Sequence, residues 1–598
     1  MELKNRDEIN EIYKWRMEDV YETENLWEKD IENVKNNLPK LTEMKGIICS
    51  NSDNFKKTID MYFDIQLIVE KVYFYANQKY YEDLGNSKYQ TFSGKADNLL
   101  NVFMETVSFI EPEILQTSEE TVMSFIKEQN MSDYVQYFKD LYRQNKHVLS
   151  DREEEILAAT RSFSSGASDI FSVLNNVELT FEDAIDSNGK AHTVTHGSFI
   201  ASMQSEDRIL RENAFKSLYK TYNNYKNTIG TVYINSLKKD SFYAKVRNYP
   251  SSRNMFLDSN NIPEEVYDNL VDVVNKNLPL MHEYVALRKK LLGVEQMHMY
   301  DIYTPLIDNP YGEISLEKAK KTILEGLKPL GDEYISLLKK GFDERWIDVY
   351  ENKGKRSGAY SWTVYGSHPY VLLNFQPNLD TMFTIAHEMG HSLHSYYSNA
   401  NQPYVNSEYR IFVAEVASTC NEILLIRYLI ENADSDLKKA YLINHMLEQF
   451  RGTLFRQTMF AEFEKIVHKK TDDGEILNCE ELCNIYHDLN KKYYGDDVVS
   501  DDEIALEWAR IPHFYTSFYV YQYATAYSAA TTIADKILTE GESAVNDYKK
   551  FLKSGCSDYP IEVLKYAGVD MSKPQPIEQA MEVFKKMLDE MKKVVDKK

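Results

Sequence analysis

Thr384-Ile385-Ala386-His387-Glu388-Met389-Gly390-His391-Ser392-Leu393-His394 is the stretch on which the reading of this 598-residue chain turns. Residues four apart share one face of a helix, so His387 and His391 can aim ring nitrogens at a single metal ion. Neutral imidazoles suit Zn²⁺, and two of them leave room for a third ligand and a water. Glu388 lies between them as the candidate general base toward that water. From Leu379 to Tyr397 the only other charged residue is Asp380, and Met382, Phe383, Ile385, Ala386, Met389 and Leu393 make the helix apolar around much of its girth. Such a helix is buried, and a buried carboxylate is costly unless something pairs with it. A metal ion and its water are such partners.

The third ligand is expected from the next helix, Ile411 to Leu425, which is largely apolar and carries no charge except Glu415 and Glu422. These two lie two turns apart on one face. Glu415 is read as the third ligand and Glu422 as the partner that orients a ligand histidine. His394 is the rival ligand, but it stands seven residues, about 10 Å, along the axis from His387. A role beside the ligands or in the cleft is preferred for it. Upstream, Gly354-Lys355-Arg356-Ser357-Gly358 reads as a flexible loop and residues 359–364 as a strand. Residues 370–375 read as a short buried strand. Asp380 is taken as the cap of the following helix. The spacing therefore predicts a small sheet against the start of the motif helix.

A further segment, Trp508 to Tyr527, is crowded with aromatic rings, mostly tyrosine. A buried hydroxyl needs a partner. A zinc peptidase needs a donor for the oxyanion of its tetrahedral intermediate, and tyrosine O–H or histidine N–H can supply one.

Around these segments the chain reads as helix, with glycine and proline scarce. Helical periodicity covers residues 59–80, 150–175, 203–247, 263–292, 434–470 and 573–596. Residues 177–181 and 192–196 alternate on either side of Asp186-Ser187-Asn188-Gly189, which predicts a hairpin. Its two histidines, His192 and His196, are read as its polar face rather than as a metal pair. The expected organisation is an N-terminal helical lobe with this hairpin over residues 1–200 and a catalytic domain over 201–598. A formal net charge of −24 argues against nucleic acid and membrane surfaces as partners. Five cysteines are too few and too scattered for a disulfide framework. No apolar leader and no long apolar run is present, so a cytoplasmic location is expected.

Taken together, the runs His387 to Tyr397, Phe412-Val413-Ala414-Glu415-Val416-Ala417-Ser418-Thr419 and Ala509-Arg510-Ile511-Pro512-His513-Phe514-Tyr515 resemble the oligoendopeptidase F group of the thimet-oligopeptidase family of zinc metallopeptidases. The resemblance spans about residues 100–590. It implies a mainly α fold: a two-lobed helical ellipsoid with a deep substrate channel, a thermolysin-like zinc helix pair and a small β-sheet beside it. It implies one Zn²⁺ per chain, with Glu415 as third ligand, and unfolded oligopeptides as substrates. His513 corresponds to a histidine that contacts substrate and oxyanion, with Tyr519 and Tyr523 as the chosen tyrosines and Tyr515, Tyr521 and Tyr527 still open. The strand that follows Gly358, with Ala359 and Tyr360, corresponds to an edge strand that pairs with substrate backbone. Two rival readings are a peptide binder with a closed structural zinc site, against which Glu388 argues, and a zinc exopeptidase.

Overall fold

The computed structural model describes residues 3–596, except the side chains of Asp151, Arg161 and Ser162. It is mainly helical with small sheets, as expected. By packing, the chain forms two compact units, each assembled from three segments. The first takes residues 1–146, 311–428 and 533–569, and the second takes 147–310, 429–532 and 570–598. These units do not follow a single cut near residue 200, because the apolar faces of sequence-distant segments complete each other's cores.

In the first unit, helices Glu24–Thr42, Ser52–Tyr81 and Ser87–Val107 close on a core that includes Trp27, Phe55 and Val72. The Trp27 indole lies flat on Phe92, with ring centroids 4.2 Å apart. The same unit carries a three-stranded sheet: β1 (Ile347–Asp348), β2 (Tyr360–Trp362) and β3 (Tyr370–Leu372). The order is β1-β3-β2. β3 runs parallel to β1, with Ile347 opposite Val371, and antiparallel to β2, with Tyr360 opposite Leu372 and Trp362 opposite Tyr370. The central strand is wholly buried, which explains its unbroken apolar run. β2 has a neighbour on one side only.

The loop before β2 differs from expectation. Lys355 is buried, with its ammonium 2.6 Å from Asp348 Oδ1, and it donates to the carbonyls of Tyr350 (2.8 Å) and Leu373 (2.5 Å). The Asn374 side chain donates to the carbonyls of Arg356 (3.0 Å) and Gly358 (2.9 Å). A loop that looks flexible from its glycines is thus pinned by one interior ion pair and one amide. Gly354 and Gly358 supply the left-handed backbone it needs, at φ +80° and +88°. Arg6 also pairs with Asp348, and the Val349 N–H donates to the Tyr13 carbonyl at 2.9 Å. The N-terminal segment thereby braces the sheet.

The second unit is built on the 39-residue helix Arg208–Val246. The periodic stretch 263–292 is split at Asn277, where Pro279 opens a new helix. The stretch 434–470 runs Asp436–Gln449 and Arg456–Asp472, joined by a π-helical turn, Phe450–Phe455, that holds Gly452. The hairpin is present but displaced and short: Ala184–Ile185 pairs with Ala191–His192 around the Gly189 turn. Residues 177–181 are not a strand. Leu174–Glu178 forms a π-turn, and the carbonyls of Thr180 and Glu182 are taken by the hydroxyls of Thr221 and Ser217. His192 bonds Asp186 and His196 bonds the Asn175 carbonyl, so the two histidines have separate local partners. Among the described residues no helix is long and apolar enough to cross a membrane, and all five cysteines are free.

Candidate metal centre

Two helices of the first unit build the site. α1 (Leu379–Asn401) carries the His-Glu-x-x-His motif, and α2 (Ile411–Glu431) carries Glu415 and Glu422. α1 is capped by Asn378, whose side chain accepts from the Thr381 N–H at 2.8 Å. Asp380, the expected cap, lies instead in the first turn, where its charge still favours the helix dipole. Phe412, Val413, Val416, Ala417, Cys420 and Ile423 bury α2 almost completely.

What sets the spacing of the two helices is Gly390, whose role was not legible in the motif. A Cβ there would fall 2.5 Å from Ser418 Cα and 2.8 Å from the Ala417 carbonyl oxygen. Only a residue without a side chain allows the backbones so close. Buried Asn421 pins the contact: its amide donates to the Ala386 carbonyl (3.0 Å), and its oxygen accepts from the Tyr334 hydroxyl (2.8 Å). The backbone hydrogen bonds of α1 leave that carbonyl a second lone pair, and Asn421 uses it.

This close approach brings three donor atoms together. His387 Nε2 and His391 Nε2 are 3.1 Å apart, and Glu415 Oε2 lies 3.3 Å from the first and 3.5 Å from the second. A tetrahedral ion bound at about 2.0–2.1 Å keeps its donors about 3.3 Å apart, so two imidazoles and one carboxylate at these distances fit a divalent metal. Among the described residues they form the one such group of histidine, cysteine and acidic ligand atoms. Glu422 bonds His387 Nδ1, which fixes the tautomer that leaves Nε2 free for a cation. Without a metal the site already favours positive charge. Burial opposes a proton on His387, but Glu415 and Glu422 outweigh it and push its pKa up to about 10. Burial likewise works against the Glu415 charge, and the two histidines hold that carboxyl well below the usual range. Glu388 is only 7% exposed. Burial raises its pKa, and the adjacent histidines pull it back.

His394 lies elsewhere than expected. It is fully buried, stacked on Tyr409 with ring centroids 3.8 Å apart and against Phe551 at 5.0 Å. Neither ring nitrogen has a hydrogen-bond partner among the described residues, and burial pushes its pKa down to about 3. It is a neutral core ring and takes no part in the donor group. The edge strand, by contrast, is tied to the motif helix: Ser361 Oγ on β2 meets Ser392 Oγ, next to His391, at 2.8 Å. Tyr360 turns its hydroxyl to Gln78. The Gly358 carbonyl is occupied by Asn374, and Ala359 leads directly into the strand.

Within the second unit, the structure groups His513, Tyr519 and Tyr523. Ring centroids lie 6.1 Å apart for His513 and Tyr519, 6.0 Å for His513 and Tyr523, and 5.5 Å for the two tyrosines. Tyr515 points away into the core, stacked on Phe171. Burial and the charge of Arg456 lower the His513 pKa, which keeps its ring neutral. Phe518, just before Tyr519, has φ +56°, a left-handed conformation that a bulky residue rarely adopts. Its N–H donates to the buried carboxyl of Glu464 at 2.9 Å, and the Ser517 hydroxyl next to it donates to buried Asp240 at 2.6 Å. Burial pushes the Glu464 pKa up to about 8. A raised folded-state value means stability that is complete below the unfolded value and is lost as pH rises toward 8. The loss is on the order of 3–5 kcal/mol at most. Glu464→Gln keeps an acceptor for Phe518 but cannot ionise. Its melting temperature is therefore expected to fall much less than the wild type's between pH 5.5 and 8.5. Parallel melting curves for the two proteins would contradict this account.

Comparison with known proteins agrees with this picture. The family model for peptidase family M3 matches residues 201–583, and that for oligopeptidase F matches residues 113–181. The chain is 47% identical to Oligopeptidase PepF of Bacillus subtilis over 597 residues, covering all of this chain and 89% of the relative. A crystal structure of a putative peptidase from Chlamydophila abortus superposes with a TM-score of 0.94 at 35% identity, covering 99% of this chain and 100% of that one. Oligoendopeptidase-F from Enterococcus faecium superposes with a TM-score of 0.74 at 39% identity, covering 96% and 100%. A mainly helical fold that brings His387, His391 and Glu415 together defines a metallo-endopeptidase. The chain belongs to peptidase family M3, in its oligopeptidase F branch.

Proposed function

We propose that this protein is a zinc-dependent oligoendopeptidase that cuts internal bonds of short, unfolded peptides in the cytoplasm. The observation that carries the reading is the donor triangle of His387, His391 and Glu415, with edges of 3.1–3.5 Å. Zinc held there would supply Lewis acidity, lowering the pKa of a water and polarising the substrate carbonyl. Glu388 takes the proton of the attacking water on its carboxylate and delivers it to the leaving amine. Glu422 holds His387 by Nδ1. His513, with Tyr519 or Tyr523, donates to the oxyanion, a role supported by the grouping of the three rings and the neutral state of His513. The open side of β2, entered through Gly358, Ala359 and Tyr360, takes the peptide backbone as an added strand. The charge of −24 disfavours nucleic acid as a partner.

The test uses internally quenched peptides blocked at both ends, with and without a chelator. Cleavage that a chelator abolishes and zinc restores is the expected result, and an exopeptidase would leave such peptides whole. Glu415→Ala is expected to lower zinc affinity by about 10-fold or more, read by metal analysis after dialysis. His394→Ala should retain full zinc. The reverse pattern would move the third ligand to His394.

A further inference from the structure

A cavity of about 410 Å³ lies wholly within the first unit, alongside β2. One wall is the strand and its continuation, Ser361 to Tyr365. A second comes from α1 through Ser395 and Asn399, and a third from helix Ser52–Tyr81 through Glu70, Tyr73 and Phe74. Ser395 is one helical turn beyond His391, about 6 Å along the axis. A peptide paired with β2 advances about 3.3 Å per residue. A side chain entering this cavity would therefore sit within a few residues of the bond cut next to His391.

The chemistry of the walls is one-sided. Glu70 and Glu408 are the charged residues lining the cavity, and no lysine, arginine or histidine lines it. Neither carboxylate has an ion-pair partner among the described residues, and Glu70 accepts only from neutral donors, the Tyr404 hydroxyl and Gln66 Nε2 (2.9 Å). Glu70 is half-buried and Glu408 exposed, whereas the buried carboxylates beside this sheet are paired, Asp348 with Lys355 and Arg6, and Glu82 with Lys79. Aromatic faces complete the lining, among them Tyr73, Trp362, Tyr365 and Tyr409. Burial and the neighbouring Glu408 both raise the Glu70 pKa, so a charge there gains from a cation. Two carboxylates with no cation beside them, set among aromatic rings, match a long cationic side chain, whose stem lies on the rings while its head meets the carboxylates. An acidic side chain would be repelled.

We propose that this cavity is a specificity pocket for a lysine or arginine side chain of the peptide, held by Glu70 and Glu408. The inference rests on the peptidase reading above. The metal-loaded full-length enzyme is assayed on quenched, end-blocked peptides in which each position flanking one scissile bond is varied among lysine, arginine, norleucine and glutamate. At one position, lysine or arginine is expected to raise kcat/KM about 10-fold over norleucine, and glutamate to lower it. This preference should shrink as salt rises from 0.05 to 0.5 M. In Glu70→Gln/Glu408→Gln the lysine-to-norleucine ratio should fall to near 1. Equal rates for lysine and norleucine at every position, or a ratio unchanged in the double variant, would overturn the pocket while leaving the peptidase standing. No cleavage of any peptide by zinc-loaded protein would overturn both.

Discussion

Glu388→Gln is expected to retain stoichiometric zinc and full helicity while kcat falls by roughly 10²–10⁴-fold. Glutamine keeps the shape of a side chain that is only 7% exposed, so packing on α1 is preserved. It removes a charge whose burial is unfavourable, so the metal-free variant should unfold at the same temperature or a higher one. It also leaves the donor triangle untouched, since Glu388 is not one of the three ligands grouped in the structure. What it cannot do is accept a proton. Stability and metal content are thereby separated from turnover. Near-normal cleavage of a quenched peptide by this variant would end the assignment of Glu388 as general base. Loss of zinc would instead make it a ligand.

The second large effect is expected at a residue with no functional group. In Gly390→Ala the new methyl would stand 2.5 Å from Ser418 Cα and 2.8 Å from a backbone carbonyl. Neither can rotate away, so α1 and α2 must separate. Overpacking of this kind costs about 1–3 kcal/mol. Glu415 is three residues from Ser418 on the same helix and must move with it. Displacing one edge of a triangle 3.1–3.5 Å on a side removes the fit to a metal. The bonds from Asn421 to Ala386 and from Glu422 to His387 stretch in the same movement. Zinc affinity is expected to fall at least 10-fold and kcat/KM about 100-fold, since misplacement by 1 Å has consequences of that order. Circular dichroism should change little. A Gly390→Ala enzyme with full zinc occupancy and activity within twofold of wild type would refute the idea that close backbone approach sets the ligand geometry.

Much of the site was legible in the chain because helical periodicity is local. The four-residue spacing of His387 and His391 puts them on one face whatever surrounds the helix. The same holds for the seven-residue spacing of Glu415 and Glu422. Two nearly uncharged helices with carboxylates at such intervals already call for a cation. The short buried strand Tyr370–Leu372 was likewise readable from composition alone. Readings that depended on a neighbour were less secure. His394 shares the ligand face by sequence, yet Tyr409 and Phe551 close over it. The Gly354–Gly358 loop looks mobile, yet an interior salt bridge from Lys355 fixes it. Residues 177–181 alternate like a strand, yet a π-turn takes Leu174–Glu178 and the Thr221 hydroxyl of helix Arg208–Val246 takes the Thr180 carbonyl.

The sequence by itself determined the helical class, the histidine pair, the glutamate between them and the acidic residues on the following helix. These follow from residue identity and a fixed rise and turn per residue. Only the tertiary structure decided how near those helices lie, because that distance is set by Gly390 against Ser418 and by Asn421 against Ala386. Such contacts join residues some thirty positions apart, and no periodicity in the chain encodes them. The cavity that collects Glu70, Trp362, Ser395 and Glu408 from distant segments is of the same kind.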